Sequence, residues 1–142
     1  MRNETLNRPV FLIEDNPVDL DLTLRAFRKK KLSNPIVVAR DGAEAMELVD
    51  NWDKNATKPV VILLDLKLPK VDGLEVLKHI KSLPGFSRVP VVILTSSSAD
   101  KDMETAYDLG ANSYIIKPVD FEKFLAVTEQ IEIYWNIINE PY

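Results

Sequence analysis

Val60-Val61-Ile62-Leu63-Leu64-Asp65-Leu66 sets a single carboxylate inside an otherwise unbroken apolar run. Its aliphatic residues are continuous rather than alternating, and the run is too short for a helix. That is how a strand reads when both faces of its sheet are covered. A charge placed in such a run must be paired or bind a metal, because a lone buried carboxylate is costly. Asp65 at the end of this strand is the first candidate for chemistry.

Outward from it, Val10-Phe11-Leu12-Ile13, Val91-Val92-Ile93-Leu94 and Tyr114-Ile115-Ile116 repeat the pattern, and Pro35-Ile36-Val37-Val38-Ala39 is a weaker version. Helical segments separate them. Asn16-Pro17 opens the first: Asn is a good cap, and Pro suits the first helical position, where its missing N–H would be unpaired anyway. Leu20, Leu24 and Phe27 follow at helical spacing, fading into Lys29-Lys30-Lys31. A second helix is expected from about Gly42 to Trp52. A third starts near Gly73, with Leu74, Leu77 and Ile80 in register, and stops before Pro84-Gly85. Ser98 is expected to cap the fourth, with Asp100 in its first turn and Gly110 as its stop; Asp120 caps a fifth that runs past Trp135. Strand then helix, five times, implies an α/β fold with a mostly parallel sheet and helices on both faces. The chain reads as one domain over residues 1–142, its core from about 8 to 132 and a helical extension from about 133 to 142.

Composition narrows the function. Lys+Arg number 18 against 22 Asp+Glu, a net charge of −4, which gives no basic footprint for nucleic acid. With no cysteine, thiol catalysis and cysteine metal sites are excluded. No apolar stretch approaches the roughly 20 residues of a membrane span, and no signal-peptide core opens the chain. A cytoplasmic protein is expected.

In an open α/β sheet the site forms at the carboxyl ends of the strands, near the point where strand order reverses. The first strand ends in Glu14-Asp15, the third in Asp65, the fourth in Thr95 and the fifth in Lys117-Pro118. Alone, Asp15 reads as a turn acid, Thr95 as a strand end and Lys117 as a solvated charge. Together, one at each strand end, they read as a site. Two carboxylates ~4 Å apart repel by about 4 kcal/mol at an effective dielectric near 20. One lysine cannot neutralise three, but a hard divalent cation such as Mg²⁺ can, and it suits carboxylates, a carbonyl, waters and phosphate oxygens. A phosphoryl group can then approach the anionic Asp65, with Lys117 and Thr95 meeting its oxygens.

Glu14-Asp15-Asn16-Pro17, Leu64-Asp65-Leu66-Lys67-Leu68-Pro69, Asp72-Gly73, Leu94-Thr95-Ser96, Gly110-Ala111 and Lys117-Pro118 closely resemble the receiver domain of two-component response regulators, from about Arg8 to about Glu132. The resemblance implies a flavodoxin-like three-layer sandwich with five parallel strands ordered 2-1-3-4-5 and five helices. It implies Asp65 as phosphoacceptor, Asp15 as a Mg²⁺ ligand with Glu14 in the outer shell, and the Lys67 carbonyl as a further ligand. Thr95 and Lys117 become the phosphoryl contacts, Pro118 a cis-proline and Tyr114 the switch aromatic. The donor implied is a phosphohistidine on a sensor histidine kinase. The receiver catalyses only its own phosphorylation and dephosphorylation. The response is a change in the face made by the fourth helix, fifth strand and fifth helix. Glu-Asp-Asn-Pro, the long second connection Asp50 to Pro59, and a last helix ending in Tyr134-Trp135 resemble, more narrowly, the stand-alone regulators paired with phytochrome-type kinases. Lys67 departs from the small or neutral residue of the family pattern.

Past Lys117 little length is left for an output domain, so output through protein contacts is expected. Phe121, Phe124, Leu125, Thr128 and Ile131 form one stripe and read as core. Ile133, Trp135 and Ile137 lie partly off it, and Tyr134, Trp135 and Ile137 are expected to form a homodimer or partner face. His79 reads as a surface residue. Two other functions share these residue types. A haloacid-dehalogenase-type phosphatase needs a second acid two residues after its nucleophile, where this chain has Lys67. A degenerate receiver acting only as a binding module would not need the full set. A flavodoxin-like cofactor binder is disfavoured by the acidic stretch from Glu14 to Asp19.

Overall fold

The computed structural model describes residues 8–29, 33–96, 98–118, 122–124 and 126. The element order is β1 (Val10–Ile13), α1 (Pro17–Lys29), β2 (Ile36–Ala39), α2 (Gly42–Asp50), β3 (Val61–Leu64), α3 (Gly73–Ser82), β4 (Val91–Thr95), α4 (Asp100–Asp108) and β5 (Ser113–Ile116). Residues 122–124 and 126 are helical. The five strands are parallel and ordered β2-β1-β3-β4-β5, the arrangement expected from the sequence.

Alternation of side chains along each strand divides the core into two layers. Phe11, Ile13, Ile62, Leu64, Val91 and Ile93 face α2, α3 and α4, meeting Ala45, Val49, Leu77, Ile80 and Ala106. Val10, Leu12, Val61, Leu63, Val92 and Leu94 face the other way, onto Leu20, Phe27 and Phe124. The Phe27 and Phe124 rings lie 5.0 Å apart, clamping α1 to the last described helical segment. The three central strands are buried at every position, which explains their unbroken aliphatic sequence; edge strand β5 alternates.

The helix ends follow from capping chemistry. Asn16 Oδ1 accepts from the N–H groups of Val18 and Asp19 at 2.9 and 3.0 Å. Asp41 and Asp72 cap α2 and α3, accepting from Glu44 N and Leu74 N. At the end of α4, Gly110 takes φ +105, its N–H donates to Tyr107 O, and Ala111 N–H reaches back to Ala106 O, a Schellman closure. One expected cap is corrected. Ser98 does not cap α4; the capping position is Ala99, with no side-chain hydrogen bond, because the helix begins one residue later than its sequence suggests. Asp100 and Asp102 in the first turn complement the helix dipole instead. The second helix also stops at Asp50, two residues before Trp52, which turns inward between Phe11 and Phe86. His79 does more than face solvent: its Nε2 lies 2.6 Å from Asp50 Oδ1, bridging α2 and α3. Among the described residues no helix is long and apolar enough to cross a membrane.

Candidate functional site

Strand order reverses between β1 and β3, since the chain builds β2 on one side of β1 and everything later on the other. The carboxyl ends of these two strands deliver the acids. Glu14 follows β1 directly; its N–H donates to Ala39 O at 3.0 Å, and the side chain is only 2% exposed. Asp15, next along, is exposed. Asp65 follows β3; its N–H donates to Ile13 O at 3.0 Å, so the two strand ends are locked in register, and its side chain is buried. Glu14, Asp15 and Asp65 each offer a carboxylate oxygen, and these oxygens lie within 4.8 Å of one another.

Lys117 arrives from β5. Its N–H donates to Thr95 O at 2.8 Å, and the following peptide, Lys117–Pro118, is cis. Its ammonium lies 2.6 Å from Glu14 Oε1 and 2.9 Å from Asp65 Oδ2. The second Asp65 oxygen, Oδ1, accepts from Lys67 N–H at 3.0 Å. Both oxygens are thus held and the carboxylate cannot rotate freely. Thr95 closes β4 and is fully buried. Tyr114 is half-buried on β5 against the helix α2–α4 layer of the core. Tyr134, Trp135 and Ile137 lie outside the described residues.

Burial raises the Glu14 pKa to about 7, aided by the neighbouring Asp65 and opposed by Lys117. Burial works to lower the Lys117 pKa, but hydrogen bonds to Glu14, Asp19 and Asp65 outweigh it and hold the ammonium well above its usual range. The site is therefore anionic beyond what its one lysine balances. Hard carboxylate oxygens converging this closely are the donor set of Mg²⁺ or Mn²⁺, and the residues present fit such an ion.

Two contacts escape the sequence. Asp19, on the first turn of α1, is a third carboxylate on Lys117, its Oδ2 at 2.9 Å. The only local hint is its place three residues after the Asn16 cap. Lys67 also extends its ammonium to 3.9 Å from Asp102 on α4, a weak exposed pair.

The comparisons with known proteins agree with this geometry. The response regulator receiver domain profile matches residues 10–129. The chain is 40% identical over 127 residues to the probable methanogenesis regulatory protein FilR2 of Methanothrix harundinacea, covering 89% of this chain and 82% of that one. Its structure is similar to that of the bacteriophytochrome response regulator AtBRR, with TM-score 0.82 and 45% identity, covering 94% and 99% of the two chains. It is also similar to the Mn²⁺-bound form of response regulator Rcp1, with TM-score 0.73 and 34% identity, covering 90% and 94%. Receiver domains of this kind bind a divalent ion at an acidic site and interact with histidine kinases. A parallel sheet ordered 2-1-3-4-5, acids at its switch point and a lysine from the last strand all lead to one assignment: the chain belongs to the response regulator receiver domain family.

Proposed function

We propose that this protein accepts a phosphoryl group on Asp65 from a phosphohistidine of a sensor histidine kinase, with Mg²⁺ as cofactor, and signals through protein contacts. The observation that carries the reading is a buried, doubly held Asp65 carboxylate between two further acids and an ammonium. Asp15, Asp65 and the Lys67 carbonyl would hold the ion, with Glu14 in its outer shell. When bound, Mg²⁺ screens the acids from the incoming phosphoryl oxygens and stabilises charge developing on them.

The chain's own groups do the rest. An Asp65 oxygen bonds to phosphorus as the phosphorus–nitrogen bond to the donor imidazole breaks, and that electron pair leaves with the nitrogen. Lys117 meets a phosphoryl oxygen, and Thr95 supplies a hydroxyl. Hydrolysis reverses the state: water bonds to phosphorus and the Asp65 carboxylate leaves. In the phosphorylated state Thr95 moves inward, Tyr114 turns into the vacated space, and the face of α4, β5 and the final helix is altered. Exposed Tyr107 on α4 gives that face an aromatic handle. On the donor side, Val18 and Leu22 are 64% and 50% exposed one turn apart on α1, an apolar landing beside the site for the kinase. The similarity to a bacteriophytochrome response regulator supports a phytochrome-type kinase as donor. The proposed setting is one domain across residues 1–142, in the cytoplasm. The test is intact mass after incubation with acetyl phosphate. One phosphoryl group is added with Mg²⁺, and none is added in EDTA.

Mg²⁺ binds the folded chain at a site the unfolded chain lacks, so it should stabilise. At a hundredfold excess over Kd the gain is about 2.7 kcal/mol. Thermal melts with and without Mg²⁺ measure it, and Asp15→Asn should lose most of the gain while melting like wild type in EDTA. Equal gains in both proteins would remove Asp15 from the ligand set.

The homodimer is proposed through the apolar tail, Tyr134, Trp135 and Ile137, together with the α4–β5 face. Size measurement of the Trp135→Glu, Ile137→Glu variant is expected to give a monomer. A variant that stays dimeric removes the tail from the interface.

A further inference from the structure

The Lys117 ammonium is saturated. It has three N–H donors and no acceptor, and three carboxylates take them: Glu14 at 2.6 Å, Asp65 at 2.9 Å and Asp19 at 2.9 Å. Glu14 and Asp65 belong to the convergent group with Asp15. Asp19 stands outside it, on the first turn of α1. Its side chain is 34% exposed, against 2% and 5% for the other two. Asn16 already satisfies its backbone N–H. A notch of about 20 Å³, lined by Asp19, Leu22, Thr23, Lys117 and Pro118, has room for one water where the two charges meet solvent. Of the three partners, Asp19 is the one Lys117 can release most readily.

A phosphoryl group on Asp65 brings additional negative charge and several strong acceptor oxygens to the same ammonium. With every donor occupied, one existing contact must yield. From this geometry we infer that Asp19 is a positioning residue that restrains Lys117 and competes with the phosphoryl group for it, slowing the phosphorylation of Asp65. The inference rests on the reading of Asp65 as phosphoacceptor. In the resting protein Asp19 keeps the lysine at the site and helps offset its charge. On phosphorylation the same contact is an obstacle. Beyond its place three residues after the Asn16 cap, the acidic run from Glu14 to Asp19 does not mark this residue; its role comes from meeting a side chain 98 positions away.

The test uses the full chain and acetyl phosphate at saturating Mg²⁺. An Asp65 oxygen bonds to phosphorus, the bond from phosphorus to the acetate oxygen breaks, and acetate leaves with the electron pair. Asp19→Asn removes the charge at nearly the same shape and should raise the phosphorylation rate about fivefold, the scale of one partly exposed charge contact. Asp19→Glu keeps the charge and should stay near wild type. A second readout needs no phosphoryl donor: in metal-free protein the Lys117 ammonium protons, followed by nitrogen-detected NMR, should exchange with water faster in Asp19→Asn. A rate in Asp19→Asn equal to or below wild type overturns the inference, as does Asp19→Glu matching Asp19→Asn, or unchanged proton exchange. A wild-type chain that takes no phosphoryl group fails earlier, and that result overturns the reading of Asp65 itself.

Discussion

Asp65→Asn is expected to take no phosphoryl group at all from acetyl phosphate and Mg²⁺, under conditions where the wild-type chain gains one by intact mass. The substitution keeps the volume and leaves an amide oxygen for the Lys117 ammonium, now 2.9 Å from Asp65 Oδ2. It removes the anionic oxygen that must bond to phosphorus, and a neutral amide cannot form the acyl phosphate. The effect is therefore a loss of the reaction and not a slowing. Folding supplies the control. Asp65 sits in a cluster whose acids outnumber the single lysine, and it helps push the Glu14 pKa upward. Deleting one of these charges relieves repulsion, so in EDTA the variant should melt no lower than the wild type. The chemistry of the adduct provides a further check. A phosphoryl group on a carboxylate is released by hydroxylamine, whereas one on Thr95 or Ser96 is not. A hydroxylamine-stable adduct that persists in Asp65→Asn would sink the assignment of the acceptor.

Gly73→Ala should be a strongly damaging single-methyl change beside the phosphoacceptor. A Cβ at Gly73 would lie 2.5 Å from the Asp65 carbonyl oxygen, 2.5 Å from Leu66 Cα and 2.8 Å from Leu66 O. All three are backbone atoms, so no rotamer change can make room. Gly73 N–H donates to Leu66 O at 3.1 Å, holding the start of α3 against the chain immediately after Asp65. Accommodating the methyl means moving α3 or the residues that carry the phosphoacceptor. A cost of about 3 kcal/mol, the upper part of the range for overpacking, is expected. Urea denaturation should show it as a lower midpoint with an unchanged slope. The same displacement should separate Asp65 from Glu14 and weaken Mg²⁺ binding. An unaltered midpoint would mean that this corner of the fold yields far more easily than its backbone contacts imply.

Both predictions concern one corner, and they draw on different kinds of legibility. Asp65 stood out in the sequence because a carboxylate in an aliphatic run violates the burial preference of its neighbours. Gly73 stood out only as a helix start beside Asp72; the reason no other residue fits is the close passage of Leu66, a distance between elements. The Ser98 cap failed for a related reason. Serine, aspartate and glycine propensities place a helix only within a residue or two, and α4 takes Ala99 as its cap with no side-chain hydrogen bond.

Sequence alone determined the alternation of strands and helices, the parallel sheet and the identity of the acids, hydroxyl and lysine at the strand ends. Those properties are local: each follows from apolar period, run length and the residue that ends the run. Tertiary structure decided which charges meet. Asp19 joins Lys117, His79 joins Asp50, and Lys67 turns toward Asp102, pairings that arise only after the sheet has ordered its strands and brought distant side chains within a few ångströms. Electrostatic partnership depends on separation in space, and nothing in the local sequence pattern records it.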